Sequence, residues 1–306
     1  KAMNICPTIA DNVQRIARQF QRAGLHYGHG TATARDEAAW LVLHVLGAPL
    51  DGGFDDWAHR PGPGQQAEIE RLAALRCETR QPLAYLLGEA WFAGLAFEVS
   101  PDVLVPRSPI AELVLDGFRP FALPNEGGRV LDLCTGSGCI GIATATYRPD
   151  CRVDLADISP AALSVAERNV ARHGLAERVR CFESDLFAAL PRGAYDLVVS
   201  NPPYVPADDV SRLPGEYLAE PRLGLESGSD GLDAPLAILL DAPRYLCEDG
   251  VLICEVGESE ERLADLLARQ GAGAGVERPA ARAAGRKPLG TGKGRVDRWV
   301  PSQRRP

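Results

Sequence analysis

The stretch that decides the fold reads RVLDLCTGSGCIG and occupies residues 129–141. Its first five residues are apolar enough for a buried strand, and the glycines that follow predict a tight turn into a helix beginning near Cys139. Glycines in such a turn let the backbone approach a ligand, and the N-terminus of the next helix favours polar or anionic groups. The stretch therefore predicts a ligand-binding turn in an α/β fold.

Strand and helix patterns alternate beyond this turn. Strands are predicted at 130–133, 153–156, 179–182, 197–200 and 251–256, and helices at 139–147, 160–173, 236–246 and 260–269. Such alternation is typical of a doubly wound parallel sheet, which binds ligands at the carboxyl ends of its strands. Residues 119–270 are therefore predicted to form one α/β domain with its site at that edge of the sheet.

Two aspartates follow the second and third of these strands. Asp157 lies 19 residues beyond Gly138, at a place where a carboxylate can accept hydrogen bonds from both ribose hydroxyls of a nucleoside. Asp185 lies just past the third strand, where it could receive the exocyclic amine of adenine, and Leu186 beside it could cover the adenine face. The three residues predict a nucleoside-containing ligand.

The glycine spacing leaves two alternatives open. Gly136, Gly138 and Gly141 also match the G-x-G-x-x-G fingerprint of dinucleotide-binding proteins, so a nicotinamide oxidoreductase is one alternative. A tight strand-to-helix turn without a ligand is the other.

The fourth strand ends in Asn201-Pro202-Pro203-Tyr204. A planar nitrogen, in an amide or in the amino group of adenine, is a weak nucleophile because its lone pair is delocalised. The Asn201 side-chain oxygen and the Pro202 carbonyl can accept its two N–H bonds, and the prolines hold these acceptors in place. Tyr204 can pack on the planar target. The four residues are the predicted catalytic group.

The first 88 residues have the spacing of amphipathic helices, with apolar stripes such as Ile9, Val13, Ile16 and Phe20. They are predicted to form a small helical substrate-recognition domain. Residues 89–118 are predicted to be a β-hairpin linker followed by a connecting helix.

Composition and charge exclude several kinds of protein. No stretch approaches the ~20 apolar residues of a membrane span, and no signal peptide is visible, so a cytoplasmic location is expected. The eight cysteines show no C-x-x-C pair, which argues against a disulfide scaffold or a metal site. Outside a basic segment after residue 270 the net charge is −15, which disfavours DNA and suits a basic protein partner.

Some polar residues are expected to be ordinary surface groups. His26 and His29 lie in a Gly-rich segment and are predicted to be solvated loop residues. For Arg107, Glu112 and Glu220 two roles stay open: pairing on the surface, and orienting the active-site loop or the substrate.

Several stretches of the chain resemble a known family. Residues 129–270 are similar to class I methyltransferases, and NPPY narrows the group to enzymes that act on planar nitrogens. The segment LVPRSPIAEL at 104–113, with the helical N-terminal region, resembles the HemK-type protein-glutamine methyltransferases. Within the family, DLCTGSGCI at 132–140, EYLAEP at 216–221 and GSDGL at 228–232 resemble the branch that modifies the large-subunit ribosomal protein L-three.

The resemblance implies S-adenosylmethionine as cofactor and a protein glutamine as methyl acceptor. Asp157 would hold the ribose, Asp185 and Leu186 the adenine, and Asn201–Tyr204 the glutamine side chain. Asn201 is also assigned to the cofactor site. The cofactor turn would comprise Asp132, Cys134, Thr135, Gly136, Ser137 and Gly138.

Four alternatives stay open. A release-factor glutamine methyltransferase shares the chemistry, an adenine amino-methyltransferase shares NPPY, and the oxidoreductase shares the glycines. The fourth is a non-catalytic nucleoside-binding module, which would bind the ligand without transferring a methyl group. Cys134 favours the ribosomal branch over the release-factor branch, which typically has Gly there.

The segment 271–306 departs from the family pattern. It is rich in Gly, Ala and Arg, carries a net charge of +7 and is predicted to be poorly ordered. It is either a basic extension that touches RNA weakly or an altered reading of the original end of the gene.

Overall fold

The computed structural model describes residues 6–50, 52–119, 121 and 127–257, together with 262, 263, 265 and 266. Four helices come first: α1 (Ile9–Arg22), α2 (Ala34–Leu46), α3 (Pro63–Thr79) and α4 (Leu83–Leu87). Helix α1 begins at a capping box in which Thr8 and Asp11 bond each other's backbone N–H, and it buries the predicted apolar stripe. Helix α2 ends at Leu46 and is capped by Gly47, whose φ of 63° suits glycine.

A hairpin and a short helix lead into the sheet. Strands β1 (Glu89–Phe92) and β2 (Leu95–Glu98) pair antiparallel around Ala93 and Gly94, both at positive φ as a two-residue hairpin turn requires. Helix α5 (Ile110–Leu115) follows. The hairpin and this helix lie within residues 89–118.

The sheet contains five parallel strands in the order β5-β4-β3-β6-β7. In chain order its elements are β3 (Arg129–Leu133), α6 (Cys139–Tyr147), β4 (Arg152–Asp157), α7 (Pro160–Arg172), β5 (Val179–Glu183), β6 (Tyr195–Ser200), α8 (Ala207–Val210), α9 (Gly215–Leu218), α10 (Asp233–Asp241) and β7 (Leu246–Cys254). The chain moves outward from β3 through β4 to β5 and then returns to pair β6 with β3. The strand order reverses at this pair, so a ligand site is expected at its carboxyl end. The predicted parallel α/β sheet is confirmed.

One predicted helix was too long. The sequence pattern extended it over 236–246, but α10 ends at Asp241 and Leu246 already belongs to β7. Pro243 lies in a single 3₁₀ turn between them, because proline cannot donate the next helical hydrogen bond. Strand β7 ends at Cys254, two residues before its predicted end. Of the predicted helix at 260–269, only residues 262, 263, 265 and 266 are described. The tail from residue 271 lies wholly outside the described residues.

The N-terminal helices share a core with the rest of the chain. Their buried residues pack with Val99, Val103 and Val105 after the hairpin, and with Ala162 and Val165 of α7. The helical region therefore lies directly against the sheet domain. No helix in the described part of the chain combines the length and apolar character of a membrane span.

Gly141 lets α6 pack closely on the sheet. An added Cβ there would lie 2.2 Å from Leu155 Cδ2 and 3.0 Å from Asp132 Cβ. We expect Gly141→Ala to lower the free energy of unfolding by about 1–3 kcal/mol, because α6 would have to move away from β3 and β4. Urea denaturation measures this change.

Gly64→Ala is the matched control. Gly64 is also helical, in α3, and an added Cβ meets nothing within 4 Å. It should leave stability unchanged or raise it by up to about 1 kcal/mol. Equal unfolding midpoints for the two variants would contradict the packing argument.

Candidate active site

A cavity of about 380 Å³ opens at the carboxyl ends of the central strands. It is lined by the turn after β3, the ends of β4 and β5, the start of the loop after β6, and the segment 102–108. Eight of the predicted cofactor residues line it: Cys134, Thr135, Gly136, Ser137, Asp157, Asp185, Leu186 and Asn201.

The turn after β3 is fixed by backbone hydrogen bonds. The Thr135 N–H donates to the Ala156 carbonyl at 3.0 Å, and the Gly138 N–H donates to the Thr135 carbonyl at 2.9 Å. Gly136 has a φ of 55°, and a Cβ added there would meet nothing within 4 Å. The backbone at Gly136 is therefore bare on the side where a side chain would project, as close approach of a ligand requires.

Asp157 lies at the end of β4 and faces this turn. Its Oδ2 accepts from the Gly136 N–H at 2.8 Å, and its Oδ1 accepts from the Ser159 N–H at 3.0 Å. Burial raises the pKa of this carboxyl, while the hydrogen bonds from Ser159 and Gly136 oppose the rise. Each oxygen keeps a further lone pair, so the carboxylate can also accept from ribose hydroxyls.

Two residues predicted to bind the cofactor do not line the cavity. Asp132 is fully buried, and its Oδ2 accepts from the Thr135 hydroxyl at 2.7 Å and the Gly141 N–H at 2.8 Å. A Cβ at Gly138 would lie 2.9 Å from Ile142 Cδ1, so this glycine permits close packing of α6. Both residues shape the turn from beneath it.

Cys134 occupies a left-handed position, with φ of 59°. A residue with a Cβ is disfavoured there and glycine is not. Burial raises the pKa of its thiol, so the side chain is neutral. Cysteine in place of glycine at this position therefore carries a conformational cost.

A second cavity, of about 190 Å³, adjoins the first. Pro202 and Tyr204 line the second cavity, Pro203 lines the first, and Asn201 lines both. The two cavities also share Leu104, Arg107 and Gly224 as lining residues. Asn201, the first residue of NPPY, thus lies where the two cavities meet. After the roles predicted for their lining residues, the first is called the cofactor cavity and the second the acceptor cavity.

The loop that carries NPPY is fixed by backbone hydrogen bonds between Val205 and the segment 225–227. The Val205 N–H donates to the Leu225 carbonyl at 2.8 Å, and the Ser227 N–H donates to the Val205 carbonyl at 3.0 Å. A Cβ at Gly231 would lie 2.4 Å from the Tyr204 carbonyl oxygen, and Gly231 has a φ of 81°. Gly231 is therefore required for the loop to pack against itself.

Of the two roles left open for Arg107 and Glu220, pairing on the exposed surface does not describe Glu220. The Glu220 side chain is fully buried and receives two hydrogen bonds from the Arg107 guanidinium, at 2.5 and 2.8 Å. Burial alone would raise the pKa of Glu220, but pairing with His29 and Arg107 outweighs burial and holds that pKa below its usual value. Glu112, in contrast, is exposed.

His29 is also buried, at 2% exposure, and not solvated as predicted. Its Nε2 lies 3.5 Å from Glu220 Oε2, and its ring lies 4.4 Å from that of Tyr217. Tyr217 lines the acceptor cavity. Sequence reasoning missed Tyr217 because its partners come from the first 30 residues and from Arg107, and no local pattern links them.

The chain is similar in sequence to known methyltransferases. A family model described as "Methyltransferase small domain" matches residues 119–220. A "Ribosomal protein uL3 glutamine methyltransferase" of Xanthomonas campestris pv. campestris is 52% identical over 267 residues, covering 85% of this chain and 84% of that protein. A protein of the same name from Xylella fastidiosa (strain Temecula1) is 50% identical and covers 85% of this chain and 83% of its own.

Likeness among solved structures is weaker. The hMettl16 catalytic domain, solved with a MAT2A 3'UTR hairpin, is 17% identical and covers 65% of this chain and 73% of its own. The TM-score of this match is 0.47.

A five-stranded parallel sheet with a nucleoside-type cavity at its switch point and NPPY after β6 defines a class I methyltransferase that uses S-adenosylmethionine. At about half identity over most of both chains, this chain belongs to the family of ribosomal protein uL3 glutamine methyltransferases. The family resemblance drawn from the sequence is confirmed, and the oxidoreductase alternative is set aside.

The buried Asp132 carboxyl predicts a distinctive pH dependence of stability. Burial raises its pKa to about 7, from an ordinary 3.8. Between these values the unfolded chain has lost the proton that the folded chain keeps, so stability falls as pH rises. We expect Asp132→Asn to gain stability relative to wild type from pH 4 to pH 8, by at most about 4 kcal/mol.

Asp150→Asn is the control: the hydrogen bond from Arg148 lowers the pKa of Asp150 below its ordinary 3.8, so this carboxyl titrates largely below pH 4 and its replacement should add almost no pH dependence between pH 4 and pH 8. Urea unfolding of the three proteins across this range tests both expectations. Parallel curves for wild type and Asp132→Asn would refute the assignment.

Proposed function

We propose that this protein transfers a methyl group from S-adenosylmethionine to the side-chain amide nitrogen of a glutamine in ribosomal protein uL3. The names of its relatives support the acceptor. The observation that carries the chemistry is the position of Asn201, which lines both the cofactor cavity and the acceptor cavity. A group on that boundary can contact the atom that receives the methyl group.

The residues around the first cavity fit the cofactor. The bare backbone at Gly136 and the carboxylate of Asp157 suit its methionine and ribose portions, and Asp185 and Leu186 line the cavity where adenine would lie. When bound, S-adenosylmethionine supplies an electrophilic methyl group on a sulfonium. The chain's own residues then have to orient the acceptor.

The acceptor amide needs orientation because its lone pair is delocalised. Within the described residues, neither the Asn201 side chain nor the Pro202 carbonyl takes part in a hydrogen bond, so both can accept from the amide N–H groups. Two prolines restrict the backbone and keep these acceptors in place. The same oxygens stabilise positive charge as it develops on the nitrogen.

Two further expectations accompany this proposal. An enzyme that modifies a ribosomal protein would act in the cytoplasm. The basic segment 271–306, which lies outside the described residues, would add a weak electrostatic contact with ribosomal RNA.

The acceptor is tested with labelled S-adenosylmethionine and three purified substrates: ribosomal protein uL3, a peptide-chain release factor and duplex DNA. Label on a glutamine of uL3 alone supports the proposal. Label on the release factor or on adenine in DNA would replace the acceptor while keeping the chemistry.

We expect Asn201→Ala to lower the rate of methyl transfer by at least ~100-fold, the scale of losing one preorganised polar contact. Cofactor affinity, measured by calorimetry, should change little because the cofactor cavity has many other lining residues. Near-normal turnover in this variant would refute the role given to Asn201.

Asp157→Ala should weaken S-adenosylmethionine binding by roughly 10–100-fold, since hydrogen bonds to a charged group contribute about 1.5–3 kcal/mol. The control is Asp150→Ala, which removes a carboxylate near the opposite end of β4 and should leave affinity unchanged. Equal dissociation constants for the two variants would remove Asp157 from the cofactor site.

A further inference from the structure

Glu255, the first residue after β7, lies behind the acceptor cavity. Its Oε1 accepts a hydrogen bond from the Tyr204 hydroxyl at 2.9 Å, and its Oε2 accepts from the Ser108 hydroxyl at 2.6 Å. Tyr204 lines the acceptor cavity, whereas Glu255 lines neither cavity. The carboxylate therefore acts on the site through other side chains.

Gly257 contacts the same tyrosine from a different direction. A Cβ added at Gly257 would lie 2.8 Å from Cε2 and 2.9 Å from Cδ2 of the Tyr204 ring, and Gly257 has a φ of 57°. The backbone of this glycine thus lies against the ring, while Glu255 holds the hydroxyl. The segment 255–257 constrains Tyr204 at two points.

Ser108 extends the connection to the wall of the cofactor cavity. It is 5% exposed, and its hydroxyl oxygen also accepts from the Ile110 N–H at 3.2 Å, at the start of α5. Ser108 lines the cofactor cavity together with the segment before it. Glu255 therefore joins the end of β7, the NPPY loop and the cavity wall.

We propose that Glu255 is a positioning residue for methyl transfer: it fixes the Tyr204 ring at the orientation in which the ring can pack on the acceptor amide, with Gly257 as the backing surface. The inference rests on the proposed function. A tyrosine attached only through its χ torsions can rotate away, and loss of about 1 Å in placement lowers a transfer rate by up to ~100-fold. Anchoring the hydroxyl removes that freedom.

Three variants separate positioning from mere stability. Glu255→Ala should lower kcat for the protein acceptor by roughly 10–100-fold, with cofactor affinity within about two-fold of wild type. Glu255→Gln keeps an oxygen that can accept from Tyr204 and should restore kcat to within about three-fold of wild type. Gly257→Ala, which displaces the ring, should lose kcat as Glu255→Ala does. A Glu255→Gln enzyme as slow as Glu255→Ala would overturn the proposal.

A double-mutant cycle tests whether Glu255 acts through Tyr204. If it does, Tyr204→Phe combined with Glu255→Ala should be no slower than the slower single variant, within about two-fold. Multiplied losses in the double variant would show that Glu255 acts by another route and would reject the inference.

A final measurement does not depend on activity. In protein labelled with ¹³C at tyrosine Cζ, the Tyr204 resonance is identified by its absence from Tyr204→Phe. Glu255→Ala should shift this resonance, and Ser211→Ala, a substitution at an exposed serine beyond the NPPY loop, should not. An unmoved resonance overturns the contact itself, whereas a shifted one in an enzyme that methylates nothing would place the fault in the proposed function.

Discussion

The pairing of β3 with β6 is the constraint on which the site depends. The two strands lie 62 or more residues apart in sequence, yet they are parallel neighbours with Leu133 opposite Ser200, and the Ser200 hydroxyl donates to the Leu133 carbonyl at 2.7 Å. The pairing of β3 with β6 places the residues that follow one strand beside those that follow the other. The cofactor turn and NPPY are therefore adjacent even without a contact between their own side chains.

The acceptor side of the site depends in addition on buried charge. Glu216, just before Tyr217, is fully buried and lies 3.5 Å from Arg76 and 2.9 Å from Arg80, two arginines that belong to or directly follow α3. Glu220 is paired with Arg107 in the same way. Removing either partner of such a pair would leave a buried charge uncompensated, which is strongly destabilising. The loop between β6 and α10 is thus attached to the helical region, which makes that region part of the scaffold of the acceptor cavity as well as a proposed recognition domain.

What the sequence could predict follows from the range of the interactions involved. The turn after β3 and the strand that leads into Asn201 depend on neighbours a few residues away, and the local sequence pattern was enough to predict them. His29, Glu216 and Glu220 have partners 113 to 191 residues away, so their burial could not be predicted by the same reasoning. Asp132 was assigned to the cofactor site as the first residue of the stretch 132–138, but it lies within β3, and its carboxylate accepts hydrogen bonds from Thr135 and Gly141 beneath the turn.

The glycine fingerprint shows why a motif can predict local structure correctly without predicting the reaction. Of its three glycines, Gly138 and Gly141 have Leu155 as a close neighbour of any added Cβ, so both serve the packing of α6 on the sheet. Only Gly136 has open space where a Cβ would stand. A dinucleotide-binding protein and a methyltransferase both need that packing, and the motif cannot distinguish them. The distinction comes from the other side of the switch point, where, under the proposed function, the residues after β6 provide rigid acceptors for an amide in place of a hydride-transfer partner.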